Sequence, residues 1–227
     1  MIKIRTGYSF RQAAGKIEDV LDRISEINSD YAPITDRAST FGFYKWAKEC
    51  EKRKLKPVFG VELAVAGSLT ERKTHIDYWT FIARDSLAPL NRLIEKATEQ
   101  FYYQPLLTYD QAMNAENVNI MTGHRPQLDW TKPHPEVHIM LGPSSSKGLI
   151  TQAWKNGWKF AASSDNRYPR ESDRGFYEIL CGRTAESHSY PQHILAPEEW
   201  LRSISHIGLD NEIIEQAETN SDFILDD

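Results

Sequence analysis

YAPITDRASTFGFYKWAKECEKRKLKPVFGVELAVA, residues 31–66, is the stretch that decides the fold. Residues 32–35 form a short apolar run that stops at Asp36 and Arg37. Thr40 is placed to cap a following helix, in which Tyr44, Ala47 and Cys50 share one face while Lys and Glu fill the other. Pro57 precedes a second apolar run, 58–66, interrupted only by Gly60 and Glu62. Strand, helix, strand with a connection of this length is what a parallel crossover requires. Asp36 and Glu62 stand at or near strand ends, where an α/β fold turns side chains toward its site.

Working outward, the chain of 227 residues is long enough for one large α/β domain with a sizeable core. Its 27 Lys and Arg against 32 Asp and Glu give a net charge of −5, which argues against a general nucleic-acid binder and leaves room for a local basic patch. Cys50 and Cys181 are too far apart for a metal spacing and read as core thiols in a reduced, cytoplasmic setting. No apolar run approaches the ~20 residues of a membrane span. The opening MIKIRTGYSF does not read as a signal peptide. Neither a P-loop nor a Rossmann glycine pattern is present, and Ser144, Ser145 and Ser146 read as a helix N-cap region with no nucleophile–base pair beside them.

Residues 2–6 alternate apolar and basic, as a short strand does. A helix over about 16–28 places Ile17, Val20, Leu21, Ile24 and Ile27 on one stripe. A polar turn at 67–73 leads to an apolar strand at 76–83, then a helix from Asp85 and Ser86 with Leu87, Leu90, Leu93, Ile94 and Ala97 inward. Strands follow at 118–122 and 137–141, separated by a Pro- and Trp-bearing loop, 125–136. A helix at 147–156 ends at Gly157, and a strand at 159–164 precedes helices near 174–180, 197–204 and 211–219.

Ile34-Thr35-Asp36-Arg37, Phe43-Tyr44-Lys45 and Leu55-Lys56-Pro57-Val58-Phe59-Gly60-Val61-Glu62 resemble the second and third strands of the PHP (polymerase and histidinol phosphatase) domain found at the N-terminus of bacterial C-family DNA polymerases. Tyr8-Ser9, the run Phe101-Tyr102-Tyr103-Gln104-Pro105 and Ser164-Asp165-Asn166-Arg167-Tyr168 extend the resemblance over nearly the whole chain. The fold it implies is an irregular PHP-type (β/α)7-like barrel, one domain over 1–227, with the site at the strands' C-terminal ends. Two extents follow: a stand-alone protein, of phage type, or a domain cut from a polymerase, which would make the whole an enzyme.

Active members of that family resemble one another in holding up to three metal ions on His, Asp, Glu and Cys, which activate water for phosphate hydrolysis. Carried over position by position, the ligands fall on Lys3, Arg5, Gln12, Arg37, Glu62, Tyr78, His124, Asp165 and Arg167. Only Glu62 and Asp165 keep the family's type, with His124 an exchange for its cysteine. His75 would need a register shift to replace Tyr78. Ammonium and guanidinium groups offer no lone pair. Each of the four cations taken singly reads as a surface charge. Together, on aligned positions, they point to a shared cleft whose partners are Asp36, Glu62 and Asp165.

The leading expectation is therefore a non-catalytic module of a DNA replication system with no cofactor, partnered with a replicative polymerase or a proofreading exonuclease, reaching DNA only indirectly and no membrane. In the resembled family, degenerate copies stabilise the polymerase and dock such an exonuclease. One alternative is a Zn- or Mn-dependent phosphoesterase or 3′–5′ exonuclease with a reduced site of Glu62, His124 and Asp165. Another is a module whose basic cleft binds a phosphate or nucleotide. The partner surface is expected at the 125–136 loop and the C-terminal helices.

Overall fold

A computed structural model describes residues 1–68, 75–100, 105–124, 126–182 and 189–226. In chain order the elements are α1 (Ile17–Glu26), β1 (Tyr31–Arg37), α2 (Phe43–Arg53), β2 (Lys56–Ala66), β3 (Ile76–Ala83), α3 (Ala88–Gln100), β4 (Leu106–Thr108), α4 (Tyr109–Met113), β5 (Val118–Met121), β6 (Val137–Leu141), α5 (Lys147–Lys155), β7 (Lys159–Ala162), α6 (Arg174–Cys181), α7 (Pro197–Ile204) and α8 (Asn211–Asp226). The 67–73 turn and the run 101–104 fall wholly or partly outside the described residues.

The strands form one sheet in the order β1-β2-β3-β5-β6-β7, with β4 added alongside the end of β2. The β1–α2–β2 crossover is parallel, as its length requires. β3 runs antiparallel to both β2 and β5, which makes the barrel irregular. β4 and α4 had no strong signal in the sequence. They are set by a capping box in which Gln111 N donates to Thr108 Oγ1 and Thr108 N donates to Gln111 Oε1.

Alternation along the strands sorts two apolar layers. Val61, Leu63, Trp79, Phe81 and Ile120 face the helices and form the main core with Val20, Leu21 and Ile24 of α1 and Trp46 of α2. Each such buried aliphatic side chain contributes about 1.5–3 kcal/mol of transfer free energy. On the opposite, inner face, β3, β5, β6 and β7 give one residue each, Ile82, Met121, Met140 and Ala161, to a smaller cluster closed by Ile2, Ile224 and Leu225. Glu62 pairs with Thr80, and Thr80 with Met121, so Glu62 lies on this inner face.

Several sequence expectations need correction. Residues 2–6 do not form a ladder strand; Ile4 makes one isolated bridge to Asn166. Side chains do the stitching: Ile4 N donates to Thr35 Oγ1 at 2.9 Å, Lys3 N to Ser163 Oγ at 3.1 Å, and Asn166 Nδ2 to the Lys3 carbonyl at 3.0 Å. In α2 the buried residues are Phe43, Trp46 and Cys50, whereas Tyr44 is 78% exposed. The helix begins after Gly42 with no side-chain cap; Thr40 offers only its carbonyl, to Phe43 N. The inward stripe therefore runs through Phe43 and Trp46 in place of Tyr44 and Ala47, and keeps Cys50.

α8 runs on to Asp226, well past Thr219, because it has an edge to cover. Phe160 N donates to Gln216 Oε1 at 3.1 Å, Asn220 Nδ2 to the Phe160 carbonyl at 2.8 Å, and Ser221 Oγ to the Ala162 carbonyl at 3.0 Å. Helix side chains thus satisfy the backbone of β7 that no strand pairs, and so blunt an open sheet edge. Among the described residues no helix is long and apolar enough to cross a membrane.

His138 on β6 is buried, and its Nδ1 has no partner among the described residues. Burial, reinforced by Lys159, pushes its pKa down to about 4. The unfolded chain takes up that proton near pH 6.5 and the folded chain only near 4. The stability His138 contributes is therefore present above pH 6.5 and lost as pH falls toward 4. Unfolding free energies by urea titration at pH 7 and 4.5 should differ by on the order of 2–3 kcal/mol less in His138→Asn than in the parent chain.

Candidate functional site

The parallel register of β1 and β2 sets Arg37 beside Glu62. The strapped segment 2–5 lies between β1 and residues 163–166, and so carries Lys3 and Arg5 to the gap between Glu62 and Asp165. Lys3 Nζ is 2.6 Å from Glu62 Oε1 and 3.1 Å from Asp165 Oδ1. Arg5 donates from Nε to Glu62 Oε2 at 2.8 Å, and from Nη2 to Glu62 Oε1 at 2.5 Å and Asp165 Oδ1 at 2.7 Å. Arg37 Nε reaches Glu62 Oε2 at 2.8 Å, and Arg167 holds Asp165 Oδ2 from Nε at 3.1 Å and Nη2 at 2.8 Å. Each carboxylate receives three cations.

Burial alone would push both carboxyls up. Arg37, Arg5 and Lys3 around Glu62, and Arg5, Lys3 and Arg167 around Asp165, override it and hold both well below the usual carboxylate range. Burial alone would lower Arg5, and Asp165 and Glu62 more than reverse that. Gln12 braces the rim: its Oε1 accepts from Arg37 Nη1 at 2.9 Å and its carbonyl from Arg167 Nη1 at 3.3 Å. Tyr78 lies under Arg37, whose Cζ is 3.7 Å from the ring centroid, a cation–π contact that fixes the guanidinium plane. Lys3, Arg5, Arg37, Glu62, Tyr78, His124, Asp165 and Arg167 line one cleft of about 220 Å³, joined by His75, Ile76 and Asp77.

Asp36 is the exception. It is buried but accepts only from neutral groups: Thr6 N at 2.7 Å, Thr6 Oγ1 at 2.8 Å and Ser9 Oγ at 2.6 Å. Burial raises its pKa, against the pull of those donors. It is not a partner of the four cations; it anchors the turn that follows Arg5, because Thr6 and Ser9 reach it first.

Asp77 was not singled out in the sequence. It accepts from Trp79 Nε1 at 3.0 Å and Gly123 N at 3.1 Å. A Cβ at Gly123 would lie 2.1 Å from Asp77 Oδ1, so the glycine makes the approach possible. The signal was an acid inside the apolar run Ile76-Asp77-Tyr78-Trp79. His75, just before β3, lines the same cleft beside Tyr78 without taking its position.

A metal ion needs several lone-pair donors around one point. Among the described residues no group of three or more His, Cys, Asp or Glu is so placed. His124 lines the cleft, but Glu62, His124 and Asp165 do not assemble into a ligand set, and Lys3 and Arg5 occupy the space between the two acids. The residues present do not fit the metal cluster of the resembled family.

The sequence profile of the PHP domain matches residues 2–163. The chain belongs to the PHP domain family. Among curated proteins it is similar to the DNA polymerase III subunit alpha of Aquifex aeolicus, 27% identical over 221 residues, covering 79% of this chain and 19% of the relative. It is also similar to the subunits of that name from Borreliella burgdorferi, 28% identical over 120 residues, 48% of this chain and 10% of the relative, and Staphylococcus aureus, 24% identical over 163 residues, 69% and 14%. The chain therefore spans less than a fifth of the relatives' own length. A solved structure from Bifidobacterium adolescentis, provisionally assigned as a metal-dependent phosphoesterase, superposes loosely, with a TM-score of 0.35 and 12% identity over 92% of this chain and 83% of the other.

Proposed function

We infer that the chain is a metal-free, non-catalytic PHP module of a DNA replication system, acting as a scaffold for a C-family polymerase or its proofreading exonuclease. The observation that carries the reading is the seat of Lys3 and Arg5 between Glu62 and Asp165, at 2.5–3.1 Å, where lone-pair donors would have to converge on an ion. The kinship to polymerase III alpha subunits supplies the replicative setting. Elemental analysis of the purified protein should find no stoichiometric zinc, manganese or iron. Single-stranded DNA and a generic phosphomonoester should survive incubation with added manganese or zinc. Metal-dependent turnover that disappears in Asp165→Asn would overturn the reading.

We place the partner surface mainly outside the 125–136 loop. In the 125–136 loop, Leu128 and Trp130 turn inward on the core, and the Trp130 carbonyl accepts from Trp158 Nε1 at 2.9 Å. Large apolar side chains are exposed on other segments: Phe10, Phe41 and Ile179 are 82–85% exposed, with Tyr44 and Phe176 also exposed, while Phe223 on α8 is 56% exposed. Tyr8, on the turn that also carries Gln12 to the cleft, lines one groove with Phe176 and Leu180 of α6. Exposed aromatics of this density mark contact surfaces. Phe41→Ser with Phe176→Ser should weaken binding to the cognate polymerase alpha subunit by more than about tenfold, as measured by interferometry, with the melting temperature unchanged. Unaltered affinity would move the interface elsewhere.

A further inference from the structure

We propose that the cleft binds a phosphate-class oxyanion directly on its cations, with Arg37 as the principal ligand. The idea rests on the metal-free reading of the same cleft and adds a ligand to it.

The first observation is charge. The ion-paired group holds four cations, Lys3, Arg5, Arg37 and Arg167, against two carboxylates, Glu62 and Asp165. Asp77 also faces the cleft but accepts from Trp79 Nε1 and Gly123 N, and Asp36 is taken up by Thr6 and Ser9. Counting Asp77, four cations line the cleft against three acids, and Asp36 lies outside that lining. A low-dielectric wall focuses that excess on the cleft.

The second observation is unspent donors. Arg37 uses Nε for Glu62 and Nη1 for Gln12, while its Nη2 donates to nothing among the described residues. Of the four cations it is the most accessible, its side chain 18% exposed against 3% or less for the other three. Stacking on Tyr78 holds its fork in one plane, the geometry that matches paired oxygens of phosphate. Lys3 Nζ spends its contacts on two carboxylates and keeps a third donor.

The third is size. A cleft of about 220 Å³ has room for a tetrahedral oxyanion. Phosphate offers paired oxygens to the fork of Arg37, which chloride does not. Free phosphate and the terminal phosphate of a nucleotide share this chemistry.

Arg37 can be removed without stranding an acid, because Glu62 keeps Lys3 and Arg5. The test is thermal unfolding and calorimetric titration of metal-stripped protein with inorganic phosphate at pH 7.5, against sodium chloride and acetate at matched ionic strength, with thymidine monophosphate as a second arm. Saturable one-to-one phosphate binding is expected, weakened at least tenfold in Arg37→Gln and less in Arg37→Lys. Tighter binding of the nucleotide than of phosphate assigns the source as a terminal phosphate. No effect beyond matched chloride, or equal affinity in Arg37→Gln, overturns the oxyanion site and leaves the metal-free scaffold standing. Binding that appears only after manganese or zinc is added overturns both.

Discussion

Glu62→Gln should destabilise the fold by about 3–5 kcal/mol, because it leaves Lys3, Arg5 and Arg37 facing a neutral group in a buried site. Four contacts of 2.5–2.8 Å from three cations end on this carboxylate, and Asp165 already serves Arg167 as well as Lys3 and Arg5. The remaining acid cannot neutralise four cations. Urea unfolding at pH 7, followed by tryptophan fluorescence, measures the loss. Its pH dependence is a second check. The folded values of Glu62 and Asp165 lie below their unfolded ones, so their contribution is present above pH ~4 and lost as pH falls through the folded values. The acid limb of the stability curve should flatten in Glu62→Gln. Asp36→Asn is the control: an equally buried acid, but raised by burial and bonded only to neutral donors, so the neutral amide should change stability by no more than about 1 kcal/mol. Equal losses at Glu62 and Asp36 would mean that burial, rather than cation pairing, sets the cost.

Trp200→Ala should cost a similar amount, about 3–5 kcal/mol, although it stands outside the profile-matched residues 2–163. Trp200 is 1% exposed on α7, packs in the main core, and donates from Nε1 to the Ser163 carbonyl at 3.2 Å. Ser163 Oγ in turn accepts from Lys3 N, so the cavity opens behind the strap that carries the site. The proposal that residues 1–227 fold as one domain makes a stronger demand. A chain ended at Leu195 would lose α7 and α8 and bare the β7 groups now bonded to Gln216, Asn220 and Ser221. Such a chain should show no cooperative unfolding transition by circular dichroism. A cooperative transition in the truncated chain would place the domain boundary before α7.

The relation of sequence to structure differs by element. Residues 31–66 carried their own fold, since a parallel crossover needs an apolar run, a helix and a second run, and no tertiary partner changes that order. The helices at 174–180 and 197–204 were equally legible, because amphipathic spacing and the Ala196-Pro197 start are local. The α2 stripe was misread at two of its three positions, Tyr44 and Ala47 for Phe43 and Trp46, because which face turns inward is decided by packing against the sheet.

By itself, the sequence determined the residue types of the site: two acids and four cations at positions 3, 5, 37, 62, 165 and 167, with no lone-pair donor where the cations stand. Only the tertiary structure decided who pairs with whom. Lys3 and Asp165 are separated by 162 positions, and a contact that distant is fixed by the strap's hydrogen bonds to Thr35 and Ser163, not by local pattern. The same long-range packing drew Asp36 away to Thr6 and Ser9 and brought Asp77 in through Gly123. Side-chain direction at a barrel mouth depends on register and closure, and both come from contacts between elements far apart in the chain.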